Sequence, residues 1–109
     1  MHENKQNAIN TTLLLSLQRA LLGVITPNMR AVYADGTFSL VTLYFIFDGP
    51  ITEEEIEETS CVETEVSVDF MTLDETTTFE TRCLQINFPA PITCPGICAY
   101  RRKEPFKAE

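Results

Sequence analysis

Four cysteines, one histidine and sixteen carboxylates are the side chains of this 109-residue sequence with the most obvious chemistry. Cys61, Cys83, Cys94 and Cys98 stand 22, 11 and 4 positions apart. That spacing fits neither paired C-x-x-C zinc knuckles nor a C-x-x-C redox motif. Cys94-Pro-Gly-Ile-Cys98 is the one close pair, and sequence alone leaves open whether its thiols pair or bind metal. With no secretory signal read at the N-terminus, reduced thiols are the default. His2, the only histidine, lies at the very start of the chain, a poor place from which to activate a thiol. A hydrolytic carboxylate pair needs a defined separation and two different environments, which neighbouring glutamates on an exposed helix do not provide. The four glycines do not cluster into a phosphate loop, and no nucleophile elbow or metal-binding helix motif occurs. These residues predict a non-enzyme without cofactor or metal.

The charges have a distinctive placement. Net charge is −8, and thirteen of the sixteen acids fall between positions 31 and 81, a stretch that contains no Lys or Arg. Such a segment disfavours nucleic-acid or anionic-membrane binding, which rests on clustered cations. No apolar run is long enough to span a bilayer. Two readings stand for the acidic stretch: a solvated helix face that maintains solubility, or a docking surface for a basic partner.

The elements that must carry these side chains follow from periodicity. Leu13, Leu14, Leu17, Leu21 and Val24 recur at three- and four-residue steps, predicting an amphipathic helix over 10–22. Asn10 or Thr11 would cap it, and Gly23 would close it in a left-handed conformation. Gln18 and Arg19 interrupt the apolar run, so the segment reads as a core helix of a cytoplasmic protein rather than a signal peptide. A hairpin follows, with Asp35-Gly36 suited to a two-residue turn and a return strand from Phe38 to Phe47. Alternation places Val41, Leu43, Phe45 and Phe47 on its core face and Leu40, Thr42, Tyr44 and Ile46 on the other.

Thr52 and Glu55 form a capping-box pattern, with Ile51 and Ile56 spaced as a staple. Thr59, Val62, Val66 and Phe70 hold a helical stripe, although residues 62–70 also alternate like a strand. The absence of Gly or Pro favours one helix to about Phe70. This leaves Glu53, Glu54, Glu57, Glu65 and Cys61 exposed, with Glu58 and Asp69 on the flank. Glu63 lies nearer the apolar side and needs a partner, for which Arg30 and Arg82 are the candidates. Thr78 to Phe88 reads as a strand ended by Pro89-Ala90-Pro91, and Ile97 to Arg101 as a short last strand. The expected fold is α+β, in the order α-β-β-α-β-β, with two helices on one face of a four-stranded antiparallel sheet. It forms a single domain over 1–109, with 1–9 and 104–109 as frayed ends.

Leu17-Gln18-Arg19-Ala20-Leu21-Leu22-Gly23, Thr26-Pro27-Asn28-Met29-Arg30-Ala31-Val32, Thr42-Leu43-Tyr44-Phe45, Cys61-Val62-Glu63-Thr64-Glu65-Val66, Asp69-Phe70 and Tyr100-Arg101-Arg102-Lys103-Glu104 together cover most of the chain. In these runs it resembles a family of small bacterial proteins similar to the immunity proteins of contact-dependent inhibition and related toxin systems. The resemblance implies a protein that inhibits a toxin and carries over no catalytic residue. Toxins that cut RNA or DNA present basic surfaces, and an acidic inhibitor complements them. Glu53, Glu54, Glu57, Glu58 and Glu65 are then the expected charged contacts with a basic toxin domain, and Tyr44 a second anchor. The alternative is a structural or housekeeping protein, homodimeric through Thr42, Tyr44 and Ile46.

Overall fold

A computed structural model describes residues 2–36, 39–71 and 76–105, with side chains described from residue 8 onward. The elements in chain order are α1 (His2–Ala20), β1 (Met29–Gly36), β2 (Leu40–Phe47), α2 (Glu53–Phe70), β3 (Thr78–Gln85) and β4 (Ile97–Arg101).

The almost wholly apolar β2 lies inside the sheet, whose strand order is β3-β2-β1-β4. Val41, Leu43, Phe45 and Phe47 are fully buried, as the alternation predicted. They meet Leu13, Leu17 and Leu21 of the first helical segment and Val62, Val66 and Phe70 of α2 in a single core. Each such side chain contributes about 1.5–3 kcal/mol by leaving water. The helical stripe Thr59, Val62, Val66 and Phe70 is likewise buried, so α2 runs unbroken to Phe70. The Phe70 ring meets Phe79 of β3 edge-to-face at 5.5 Å.

The expected sheet needs correcting. β1 pairs antiparallel with both β2 and β4, but β2 and β3 pair parallel, so the sheet is mixed. The cause lies in the lengths of the connecting elements. The 18 residues of α2 span about 27 Å at ~1.5 Å per residue. This matches the roughly 26 Å of the 8-residue β2 at ~3.3 Å per residue. The helix therefore returns the chain to the start of β2, and the next strand must run the same way.

Three boundaries also differ from expectation. Asp35 and Gly36 are not the hairpin turn: they belong to β1 and pair with Thr42 and Val41. Gly36 serves packing instead, because a Cβ there would stand 3.1 Å from Leu13 Cδ2 and 3.2 Å from Val41 Cγ2. Phe38, expected to begin the return strand, lies outside the described residues. The first helix starts at His2 rather than at an Asn10 or Thr11 cap, and Ile9, within the segment expected to fray, is buried. At its other end the expected Gly23 adopts φ +82°. The third strand stops at Gln85, although Ile86 still donates its N–H to the Phe47 carbonyl.

Because β3 and β4 occupy opposite edges, residues 86–96 must carry the chain across the sheet. Gly96 ends that crossing at φ +94°, so close to β1 that a Cβ would overlap the Ala34 carbonyl oxygen. Only glycine fits there.

Candidate functional site

The capping box fixes where α2 begins and hence which way its glutamates point. Thr52 Oγ1 accepts the Glu55 N–H at 3.1 Å, and Glu55 Oε1 accepts the Thr52 N–H at 3.0 Å. Burial works against the Glu55 carboxylate, but hydrogen bonds from the Thr52 backbone and the Asn28, Thr52 and Thr26 side chains hold it below its ordinary range. Glu55 is thus committed to the fold. Ile51 packs on the core while Ile56 is 47% exposed.

With that start set and the core stripe buried, Glu53, Glu54, Glu57 and Glu65 face solvent and Glu58 is half-buried. Among the described residues no cation pairs with any of these five. Arg19 and Arg82 are occupied by Asp69 at 3.3 Å and Glu80 at 2.8 Å. Glu53 with Glu57, and Glu54 with Glu58, are like-charge i,i+4 pairs, which destabilise a helix by about 0.2–0.5 kcal/mol each. Glu53 and Glu54 offset part of this cost, because they stand in the first turn at the positive end of the helix dipole. Glu54, Glu57 and Glu58 line one open depression with Ser60, Cys61 and Thr64, and as neighbouring acids they attract cations without the two distinct environments that acid–base catalysis requires.

Glu63 accepts a hydrogen bond from the Thr81 hydroxyl at 2.5 Å, not from Arg30 or Arg82 as anticipated. A hydroxyl across the α2–β3 contact meets its need without a second buried charge.

Tyr44 is half-buried on the sheet face turned away from the helices. Register places it between Arg82 of β3 and Tyr33 of β1, with Cys98 of β4 beyond. Tyr44 and the α2 glutamates therefore lie on opposite sides of the sheet, and one flat partner surface cannot touch both. Of the Thr42, Tyr44 and Ile46 face expected to carry a homodimer contact, Thr42 is 7% exposed and Ile46 fully buried.

All four cysteines are free thiols. Burial, with Asp35 and Cys98 nearby, pushes Cys94 up to about 11, so it is a protonated, unreactive thiol at neutral pH. Burial first, then Cys98, also raises the Tyr33 phenol above its usual range. Among the described residues no three His, Cys, Asp or Glu side chains converge to hold a metal ion. Likewise, none of their helices is long and apolar enough to cross a membrane.

Two features escaped the sequence reading. The first is an ionic knot at the end of the sheet. Arg30, 3% exposed, donates from Nε and Nη2 to the two Glu104 carboxylate oxygens at 2.6 and 2.9 Å, and from Nη1 to the Ile86 and Ala90 carbonyls at 2.8 and 2.9 Å. Arg102 joins Glu104 at 3.0 Å and Asp48 at 2.7 Å, and Phe88 stacks 5.6 Å from the Arg30 guanidinium. Glu104, expected in a frayed end, is thereby tied down. Apart from Arg102 and Glu104, these side-chain pairs lie 54 to 74 residues apart, so no local pattern reveals the knot.

The second is a groove between α1 and α2, lined by Thr12, Leu15, Ser16 and Arg19 on one side and Thr64, Glu65, Val68 and Asp69 on the other. Ser16 Oγ donates to Asp69 Oδ2 at 2.6 Å across its floor. Leu15, Val68 and Met71 are 59%, 57% and 60% exposed. The available sequence signal was negative: Leu15 and Val68 fall off the buried stripes of their helices.

No match was found among curated proteins. The family model described as MafI2 immunity protein matches residues 10–104, from the body of α1 through the Glu104 that closes the ionic knot. An α+β fold displaying an acidic helix face without cation partners among its described residues is thus what this match spans, and the chain belongs to the MafI2 immunity protein family.

Proposed function

We propose that this protein acts in the cytoplasm by binding a basic, nuclease-type toxin domain and covering the surface with which that domain holds its polyanionic substrate. Membership of an immunity family implies a toxin partner. The single observation that carries the finer reading is the outer face of α2, where Glu53, Glu54, Glu57, Glu58 and Glu65 have no cation partner among the described residues. Glu53 and Glu54 gain from the helix dipole in the first turn, but Glu57, Glu58 and Glu65 lie beyond it and meet mainly mutual repulsion. A cationic surface docked against them would neutralise that repulsion. A nuclease must present such a surface to nucleic acid, and the complementary field would speed encounter and select the partner. Inhibition of this kind proceeds by occlusion and needs no chemical turnover.

The test is stopped-flow association with the cognate toxin domain, identified by co-purification with this protein from its native host. Glu57→Lys/Glu58→Lys should slow association by tenfold or more at low salt, with the difference shrinking as ionic strength rises and screening shortens the reach of the charges. Equal rates for variant and wild type would sink the electrostatic interface.

A further inference from the structure

Five residues of α2, Glu54, Glu58, Cys61, Glu65 and Val68, follow one another at steps of 4, 3, 4 and 3. That is the spacing with which one helix presents a seam to another. The core stripe Thr59, Val62, Val66 and Phe70 lies elsewhere on the cylinder, so this second seam has no partner within the described fold. It runs about 21 Å from Glu54 to Val68, at ~1.5 Å per residue. Its character changes along that length. The N-terminal part is anionic, whereas its C-terminal end opens into the α1–α2 groove, where Val68 and Leu15 face one depression and Met71 stands one turn further on.

Such exposed apolar side chains beside a charged stripe have the composition of an interface, with an apolar anchor and a charged flank. The groove floor is already satisfied. Asp69 is held by Ser16 and Arg19, so an occupant need supply no group to it.

Resting on the reading of this chain as a toxin inhibitor, the geometry points to one occupant: an amphipathic helix of the toxin domain packed along this seam. Its facing stripe carries Lys or Arg opposite Glu54, Glu58 and Glu65. One apolar side chain at its end drops between Leu15 and Val68. The charged stretch sets the approach, and the apolar anchor sets the lifetime of the complex.

Cys61 sits in the middle of the seam and is exposed, while Cys98 is exposed on the other side of the sheet. The pair forms a built-in footprint. Maleimide labelling of the wild-type protein, read by mass spectrometry with and without the co-purified toxin domain, should show Cys61 protected at least tenfold in the complex and Cys98 labelled as before. Leu15→Ala/Val68→Ala, which truncates only exposed side chains, should raise the dissociation rate at least tenfold at both low and high salt, whereas Leu15→Met/Val68→Ile should bind as wild type. If the toxin domain binds but Cys61 stays reactive and the alanine variant dissociates normally, helix docking on this seam is wrong and the inhibitor reading stands. Protection of Cys98 instead of Cys61 would move the interface to the sheet and have the same meaning. If the toxin domain does not bind the wild-type protein at all, both readings fall.

Discussion

Two charged regions of this molecule are built on opposite rules. In the knot at the sheet end, Arg30, Arg102, Asp48 and Glu104 meet within 3.0 Å, and their charges bind together β1, the end of β2, the crossing segment and the C-terminal tail. On the outer face of α2, five glutamates have no such partner among the described residues, and two pairs of them repel one turn apart. A buried charge must be matched or it unfolds the protein. An exposed one can remain unmatched at a cost of tenths of a kcal/mol, and stays available to something outside. The contrast separates charges that hold the fold from charges that await a partner.

That contrast can be broken at three points of decreasing size. Arg30→Met leaves the Ile86 and Ala90 carbonyls without this donor and Glu104 with Arg102 alone. It should cost about 3–5 kcal/mol, enough to lower the melting temperature by more than about 10 °C in a domain of this length. A loss under about 1 kcal/mol by denaturant titration would show that the knot is ornamental.

A smaller effect is expected from pH. The hydrogen bond from Arg30 chiefly, reinforced by Arg102 and opposed by burial, holds the Glu104 carboxyl below its ordinary 4.5. A carboxylate depressed in the folded state contributes stability above its unfolded pKa and loses it as pH falls through the folded value. Glu104→Gln should therefore be about 2–3 kcal/mol less stable than wild type at pH 7. The two stability curves should draw together as pH falls from the ordinary carboxylate range through the lower folded value, where the wild-type carboxylate takes its proton. Parallel curves down to acid pH would remove Glu104 from the account.

The smallest change should have the opposite sign. Glu57→Lys/Glu58→Lys turns two repulsive i,i+4 pairs into attractions, because Glu53 and Glu54 then each stand four residues before a lysine, the favourable orientation. Stability should rise by roughly 0.5–1 kcal/mol while toxin association slows. Thermal denaturation beside the kinetic assay checks both, and a loss of stability would mean that these glutamates serve the fold after all.

Residues whose conformation depends on near neighbours were readable in the sequence. The Thr52–Glu55 cap, the stripe from Thr59 to Phe70, the alternation of β2, Gly23 and the last strand all rest on contacts within a turn or two. Misreadings arose where a distant contact outweighed a local preference. Asp35-Gly36 carries a tight-turn signal, yet Gly36 is needed where α1 packs against the ladder. Asn10 and Thr11 are good caps, yet Ile9 gains burial by continuing the helix. The parallel β2–β3 pairing was implicit in the length of α2, but only when strand and helix lengths are compared as distances.

By itself the sequence determined the element order, the core face of β2, the start of α2 and the concentration of acids between residues 31 and 81, because periodicity, capping and charge are local properties. Tertiary structure alone decided which acids beyond the capping Glu55 are consumed internally: Asp48 by Arg102, Glu63 by Thr81 and Asp69 by Ser16 and Arg19. It also placed Tyr44 on the far side of the sheet from α2 and opened the groove between Leu15 and Val68. A charge becomes internal or available according to what the folded chain brings within about 3 Å of it, and that distance is set by contacts between residues far apart in sequence.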